Sequence, residues 1–286
     1  MTPACPDLRA LVLAIACLIC ASTGTMAENS ALRGLGTANE ALAWRAIGRL
    51  DAQGSGFCTA TLIDPETILT AAHCVFSAVT GEPMMPGDML FRAGYREGDA
   101  AAQRGVVQIE AHPLYRPGVA IDAGNVRHDV ALLRLDAPVS LQEADPFRLD
   151  ESTAPAGIVS VVSYGRGREN LPSRQARCQV LGTHEGIVTM DCDVTFGSSG
   201  APVLSSDGGR GRIVSMISGQ GSIEGRFVAF GMELPALVSD LRRQLRANAA
   251  RTPPTIRRVR PDGETVGTDA PASRGIGAKF VRAPGG

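Results

Sequence analysis

The chain has 286 residues, a net charge of −1 and 44% apolar residues, enough to bury the core of one large domain or two ordinary ones. Its positive charge is almost entirely arginine, with Lys279 the only lysine, and no basic block alternates with aromatic residues. A nucleic-acid surface is therefore not expected.

At the N-terminus Arg9 precedes an apolar run from Ala10 to Ala21, followed by small residues up to Ala27. This is the layout of a secretory signal peptide, residues 1–27. The run falls short of the roughly 20 apolar residues that span a bilayer, so a secreted or periplasmic protein without a membrane span is expected. The string AIA before Cys17 gives only a faint lipoprotein signal, since Ala14 stands where Leu is usual, and no lipid anchor is expected.

From residue 41 the apolar residues come in short runs broken by Gly, Pro and Asp: WRAIGRL, GFCTATLI, TILTAA, MLFRAG, RGVVQIEA and DVALLRL. These lengths predict strands over about 41–140. A Pro-bearing, acidic linker around 141–156 follows, and then a second set of runs over 157–231: GIVSVVSYG, ARCQVLG, IVTMDC, APVL, RIVSMIS and RFVAFG. Twelve short strands without a helical pattern between them point to two antiparallel barrels or a pair of sandwiches. The period changes only at the end, where Leu234, Leu237, Val238, Leu241 and Leu245 fall at helical spacing behind Pro235, predicting a closing helix over about 233–247. Residues 249–286 lose periodicity and turn to Pro, Gly, Thr and Arg, the composition of a disordered tail. The RRVR string at 257–260 is read as part of that solvated tail.

Export removes Cys5, Cys17 and Cys20 and leaves Cys58, Cys74, Cys178 and Cys192, an even set in an oxidising compartment. Short stretches separate each local pair, so bridges Cys58–Cys74 and Cys178–Cys192 are expected. No C-x2-C pair or His pair has ligand spacing, and no metal site is expected.

Three strings carry the chemistry: LTAAHCV with His73, RHDVALLRL with Asp129, and FGSSGAPV with Ser199. A serine nucleophile needs a base for its proton, a carboxylate to hold that imidazole, and donors for the oxyanion. Asp129 opens an apolar strand, where a carboxylate is costly unless hydrogen-bonded. Gly197 has no side chain to stop its N–H converging with that of Ser199. His128, next to Asp129 on the expected strand, should point away from it. His112 and His184 read as exposed loop residues.

These strings, in the order His, Asp, Ser, resemble the trypsin-like (chymotrypsin-fold) serine proteases from about Trp44 to Leu245, closest to the short bacterial glutamyl-endopeptidase-like branch. The resemblance implies an all-β fold of two six-stranded antiparallel Greek-key barrels with a C-terminal helix and a site in the crevice between them. It implies His73 as base, Asp129 as its orienter, Ser199 as nucleophile, and Gly197 and Ser199 as oxyanion donors. The expected activity is that of a serine endopeptidase acting on proteins or peptides, monomeric and needing no cofactor. A non-catalytic binding protein on the same fold is the alternative, although no triad residue is missing. A GxSxG hydrolase does not fit the spacing around Ser199.

Two departures from the family pattern stand out. Digestive members carry Asp before the nucleophile to receive a new N-terminal amine; here the residue is Ser198, so activation by that ion pair is not expected. Residues 28–40 are read as a short propeptide or N-terminal arm, with Arg33 as one conceivable cut. Counting back from Ser199, Asp193 falls where trypsin has its pocket-base aspartate, implying preference for Arg or Lys. A structural Asp that satisfies nearby backbone N–H groups is the other reading. Ser218, Gly219 and Gly225 are the expected pocket walls. Met216, Ile217 and Ser218 supply no His of the glutamyl-specific kind, so a preference for Glu is not expected.

Overall fold

The computed structural model describes residues 29–54, 56–119, 122–151, 155–205, 209–249, 258–259 and 265–266. The expected signal peptide and nearly all of the expected disordered tail lie outside the described residues.

All six short apolar runs of the first half form strands: β2 (Ile47–Ala52), β3 (Gly56–Asp64), β4 (Thr67–Thr70), β5 (Met89–Ala93), β6 (Ala102–Ala111) and β7 (Ala131–Leu135). A further strand, β1 (Leu32–Gly34), precedes them. Strands β2 to β7 close into an antiparallel barrel in the order β2-β3-β4-β7-β6-β5, with β5 returning to β2. The second half supplies β8 (Ile158–Gly165), β9 (Arg168–His184), β10 (Ile187–Met190), β11 (Pro202–Ser205), β12 (Ile213–Ile223) and β13 (Arg226–Met232). They are joined in the order β9-β10-β13-β12-β11-β8, and β8 pairs again with β9 to close the second barrel. Both barrels thus use one antiparallel Greek-key order, as expected.

Closure is what lets short strands suffice, because it leaves no row of unpaired N–H and C=O groups at an edge. Alternation then fills the interiors. In barrel one Leu50, Leu62, Ile68, Phe91 and Leu133 share a face and are buried, and in barrel two Val159, Val161, Met190, Val203 and Ile217. Each such side chain contributes on the order of 1.5–3 kcal/mol of apolar burial.

The closing helix, α3 (Pro235–Ala249), is preceded in chain order by two short ones, α1 (Ala38–Ala41) and α2 (Ala123–His128). On α3 Val238, Leu241 and Leu245 are buried and pack the helix on β6 and β7, while Gln108 donates to the Leu245 carbonyl at 2.9 Å. Ahead of barrel one, β1 adds to the outer side of β9, and Leu35 is buried behind it. Residues 29–41 are therefore docked on the folded body, held also by Gln175 donating to the Ser30 carbonyl and by a Thr37–Glu40 capping box at the start of α1. Separately, in the unit 250–286, Arg258–Val259 (β14) and Thr265–Val266 (β15) pair antiparallel.

Both expected disulfides are present, Cys58–Cys74 tying β3 to the turn after β4, and Cys178–Cys192 tying β9 to the segment after β10. The first closes a loop with a sequence separation of 16. Replacing both Cys58 and Cys74 by Ser should lower unfolding free energy by about 3 kcal/mol through the freed unfolded chain. A urea titration checks this: the midpoint shifts down and the m-value rises as the freed unfolded chain exposes more surface.

Candidate active site

His73 lies in a 3-10 turn, Ala72–Val75, that follows β4, and the bridge from Cys74 to Cys58 anchors this turn to β3. Asp129 is not on a strand. The Asp122 side chain caps α2 by accepting from the Asn125 N–H at 2.7 Å, the helix runs to His128, and Asp129 is its C-cap with φ −77° and ψ 62°. The extended reading failed because the apolar run continues through Val130 and hides a single helical turn with its cap upstream. His128, at the end of that helix, stacks on His112 with ring centroids 4.7 Å apart. Contrary to expectation His112 is buried, under the stacked His128 ring. His184 is exposed at the end of β9.

The Asp129 carboxylate is buried, with a side-chain exposure of 4%, and receives three hydrogen bonds. The His73 backbone N–H donates to Oδ1 at 2.8 Å, His73 Nδ1 lies 2.7 Å from Oδ2, and the Ser218 hydroxyl donates to Oδ2 at 2.6 Å. Burial depresses the His73 pKa, but the Coulombic attraction of Asp129 and their hydrogen bond outweigh it, and the net shift is upward from 6.5. With Nδ1 engaged by the carboxylate, Nε2 is the nitrogen left for other chemistry. Tyr115 shares the cleft; burial first, then the Asp129 charge, pushes its phenol up to about 12, so it stays neutral.

Ser199 sits in the turn between β10 and β11. Its hydroxyl makes one long hydrogen bond, 3.5 Å, to the Ser218 carbonyl, and among the described residues none joins it to His73. Gly197 has φ +91°, and a Cβ there would meet the Phe57 ring at 2.4 Å, so only glycine fits. Buried Thr59 of β3 holds this turn from barrel one: its N–H donates to the Ser199 carbonyl at 2.9 Å and its hydroxyl to the Gly197 carbonyl at 2.8 Å. Among the described residues the N–H groups of Gly197 and Ser199 have no protein acceptor. Two free donors beside a hydroxyl suit an anionic oxygen.

His73, Asp129, Gly197, Ser199, Ser218 and Gly219 all line one cleft of about 770 Å³. Asp193 and Gly225 do not line it. Cys192 and Val194 are buried while Asp193 between them is exposed, the alternation of an extended segment whose neighbour is tied down by the Cys178 bridge. The Asp193 N–H donates to Gln175 at 2.7 Å, and among the described residues its carboxylate accepts no hydrogen bond. Gly225 is in the exposed turn between β12 and β13, with φ +76°. Val194, Thr195 and Ile217 do line the cleft. Cys58, His73 and Cys74 have donor atoms close together, but both sulfurs are committed to the disulfide.

Sequence reasoning assigned Ser218 to a pocket wall and did not anticipate its bond to Asp129. It missed Thr59 altogether, although a polar residue at an inward position of GFCTATLI was a signal.

Two closed Greek-key barrels with this cleft define a protein of the chymotrypsin-fold class. A family model described as Trypsin matches residues 35–231, and the chain belongs to that family of serine proteases. Serine protease SP24D of Anopheles gambiae is 32% identical over 112 residues, 39% of this chain and 37% of that protein. Clotting factor C of Tachypleus tridentatus is 32% identical over 90 residues, 29% of this chain and 8% of that protein. The alignments thus span well under two thirds of these relatives. A solved Glu endopeptidase structure shares the fold, with a TM-score of 0.60, 18% identity, and coverage of 75% of this chain and 97% of that one.

Replacing Asp129 by Asn should leave His73 with its burial and without its counter-charge. Its imidazole titration, followed by NMR, should then move from above 6.5 to below it.

Proposed function

We propose that the protein is a secreted or periplasmic serine endopeptidase that hydrolyses peptide bonds through an acyl-enzyme. The observation that carries the reading is the buried Asp129 carboxylate at 2.7 Å from His73 Nδ1, in the same cleft as Ser199 and two unengaged N–H groups.

In the proposed mechanism a peptide carbonyl enters the cleft with its oxygen toward the Gly197 and Ser199 N–H groups. The Ser199 hydroxyl turns from the Ser218 carbonyl toward His73, whose neutral Nε2 takes the proton as Oγ attacks carbon. Negative charge collects on the carbonyl oxygen, where the two N–H donors stabilise it. His73, now an imidazolium beside Asp129, gives its proton to the leaving amine. Water then repeats the sequence in reverse roles and releases the acid. No cofactor takes part. The upward shift of the His73 pKa makes it a stronger base at the cost of a higher pH threshold, so kcat/KM should fall on the acid side with a midpoint above 6.5.

Export is supported by the leader-like N-terminus and by two disulfides. The docking of β1 on β9 favours residues 29–41 as a retained arm over a released propeptide. The substrates are proteins or peptides. The apolar lining by Val194 and Ile217, with Asp193 turned outward, favours an uncharged side chain over Arg in the pocket. A binding protein on the same fold would not need a buried carboxylate holding an imidazole that lines the same cleft as Ser199.

Ser199→Ala should abolish both peptide hydrolysis and covalent labelling by an organophosphonate, with unfolding unchanged; labelling that persists in the variant would sink the assignment. In cleavage profiling on a peptide library, Asp193→Ser should leave the preferred residue as in the parent protein. Loss of a preference for Arg would instead make Asp193 the pocket base.

A further inference from the structure

Ser198, between the two residues that offer free N–H groups, is completely buried, and its hydroxyl is the hub of a network. It accepts from the Thr195 N–H at 3.2 Å and from Arg168 Nη2 at 3.1 Å, donates to the Tyr164 carbonyl at 3.2 Å, and lies 3.3 Å from Ser163 Oγ. Among the described residues Arg168 is the only charged group in that network. The same guanidinium donates to Ser163 Oγ at 3.0 Å and to the Ser163 carbonyl.

The local backbone is built to admit it. Arg168 opens β9 and pairs across the hairpin with Gly165 of β8, and a Cβ at Gly165 would meet Arg168 Cζ at 2.8 Å and Thr195 Cγ2 at 2.7 Å. The guanidinium therefore passes over a bare backbone to reach Ser198. It is partly desolvated there, which lowers its pKa, while Asp193 and Glu169 supply compensating negative charge. Placing an arginine in such a position is costly unless its donors find acceptors, and here its three hydrogen bonds bridge β8 to the turn of the proposed nucleophile.

We propose that Arg168 is the positioning residue of the anion-binding turn: through Ser198 it fixes the peptide units that aim the Gly197 and Ser199 N–H groups into the cleft. The proposal rests on the reading of that turn as an oxyanion site. Thr59 secures the turn from barrel one, and Arg168 secures it from barrel two. Neither touches the reacting atoms. A loosened turn would still bind a substrate along the cleft, yet would not meet the charge that develops on its carbonyl oxygen.

The test compares Arg168→Met, which keeps the stem and loses the donors, with Arg168→Lys, which keeps the charge and loses the planar fork. In Arg168→Met kcat should fall about 100-fold with KM changed by less than about threefold, and organophosphonate labelling should slow in proportion. Arg168→Lys should recover part of that loss. Hydrogen exchange by mass spectrometry gives a readout independent of activity. The Ser198 and Ala201 amides, which donate to the Thr195 and Ser198 carbonyls, should exchange at least about tenfold faster in Arg168→Met while barrel one is unchanged. Unchanged exchange together with unchanged kcat overturns the proposal. So does faster exchange spread over both barrels, which would make Arg168 a general prop. If the parent protein neither cleaves nor labels, the protease reading fails, and the exchange result alone decides whether Arg168 orders the turn.

Discussion

The structure depends most on the buried carboxylate of Asp129. A carboxylate with 4% exposure is tolerable only if donors replace its water, and three do so from two separate parts of the chain. Two come from His73, in the turn after β4 that a disulfide anchors; the third is the hydroxyl of Ser218 on β12 of the other barrel. Satisfying one charge thus fixes the imidazole's tautomer and orientation and docks barrel two against barrel one. The electrostatic requirement and the geometric one are met by the same contacts. Removing any partner leaves the charge short of a donor rather than simply deleting a bond.

The turn carrying Ser199 obeys a second, related constraint. Peptide N–H groups that point into an open cleft forgo internal partners, so the backbone around them has to be held by its remaining groups. Carbonyls do much of this: those of Gly197 and Ser199 accept from Thr59, and Gly200 donates to the Ile217 carbonyl at 2.8 Å. The side chain of Ser198 does the rest on the inner side. In this arrangement a neutral hydroxyl faces a guanidinium, where the family resemblance leads one to expect an acid awaiting an amine. The cation that orders the turn is supplied by the chain's own β8–β9 hairpin.

The fold was legible because its signals are local. Short runs such as TILT and IVTM, bounded by turn residues, can only be strands, and twelve of them need closure. The amphipathic spacing of Leu234, Val238, Leu241 and Leu245 marked the helix, and short separations marked both disulfides. Segment 32–34 was missed because Leu-Arg-Gly has no strand pattern of its own; it is extended only because β9 offers it an edge. The helical turn before Asp129 was missed for a similar reason, since six residues with an Asp cap are masked by the apolar run beyond them.

The site divides along the same line. His73, Asp129 and Ser199, which line one cleft, were singled out by the strings around them. Ser218, Thr59 and Arg168 act across 89, 138 and 30 residues respectively, measured to Asp129, Gly197 and Ser198. No window of the sequence contains both partners of any of these contacts, so only the closed barrels reveal them. The same holds for Asp193. Gap-free counting placed it in a pocket, but whether an extended residue faces in or out is decided by which neighbour is tethered, and Cys178 tethers Cys192. With Asp193 exposed, its neighbour Val194 lines the cleft. Which side chain of this segment lines the cleft is therefore set by the register of a disulfide-anchored stretch, which lies a step beyond what a motif can carry.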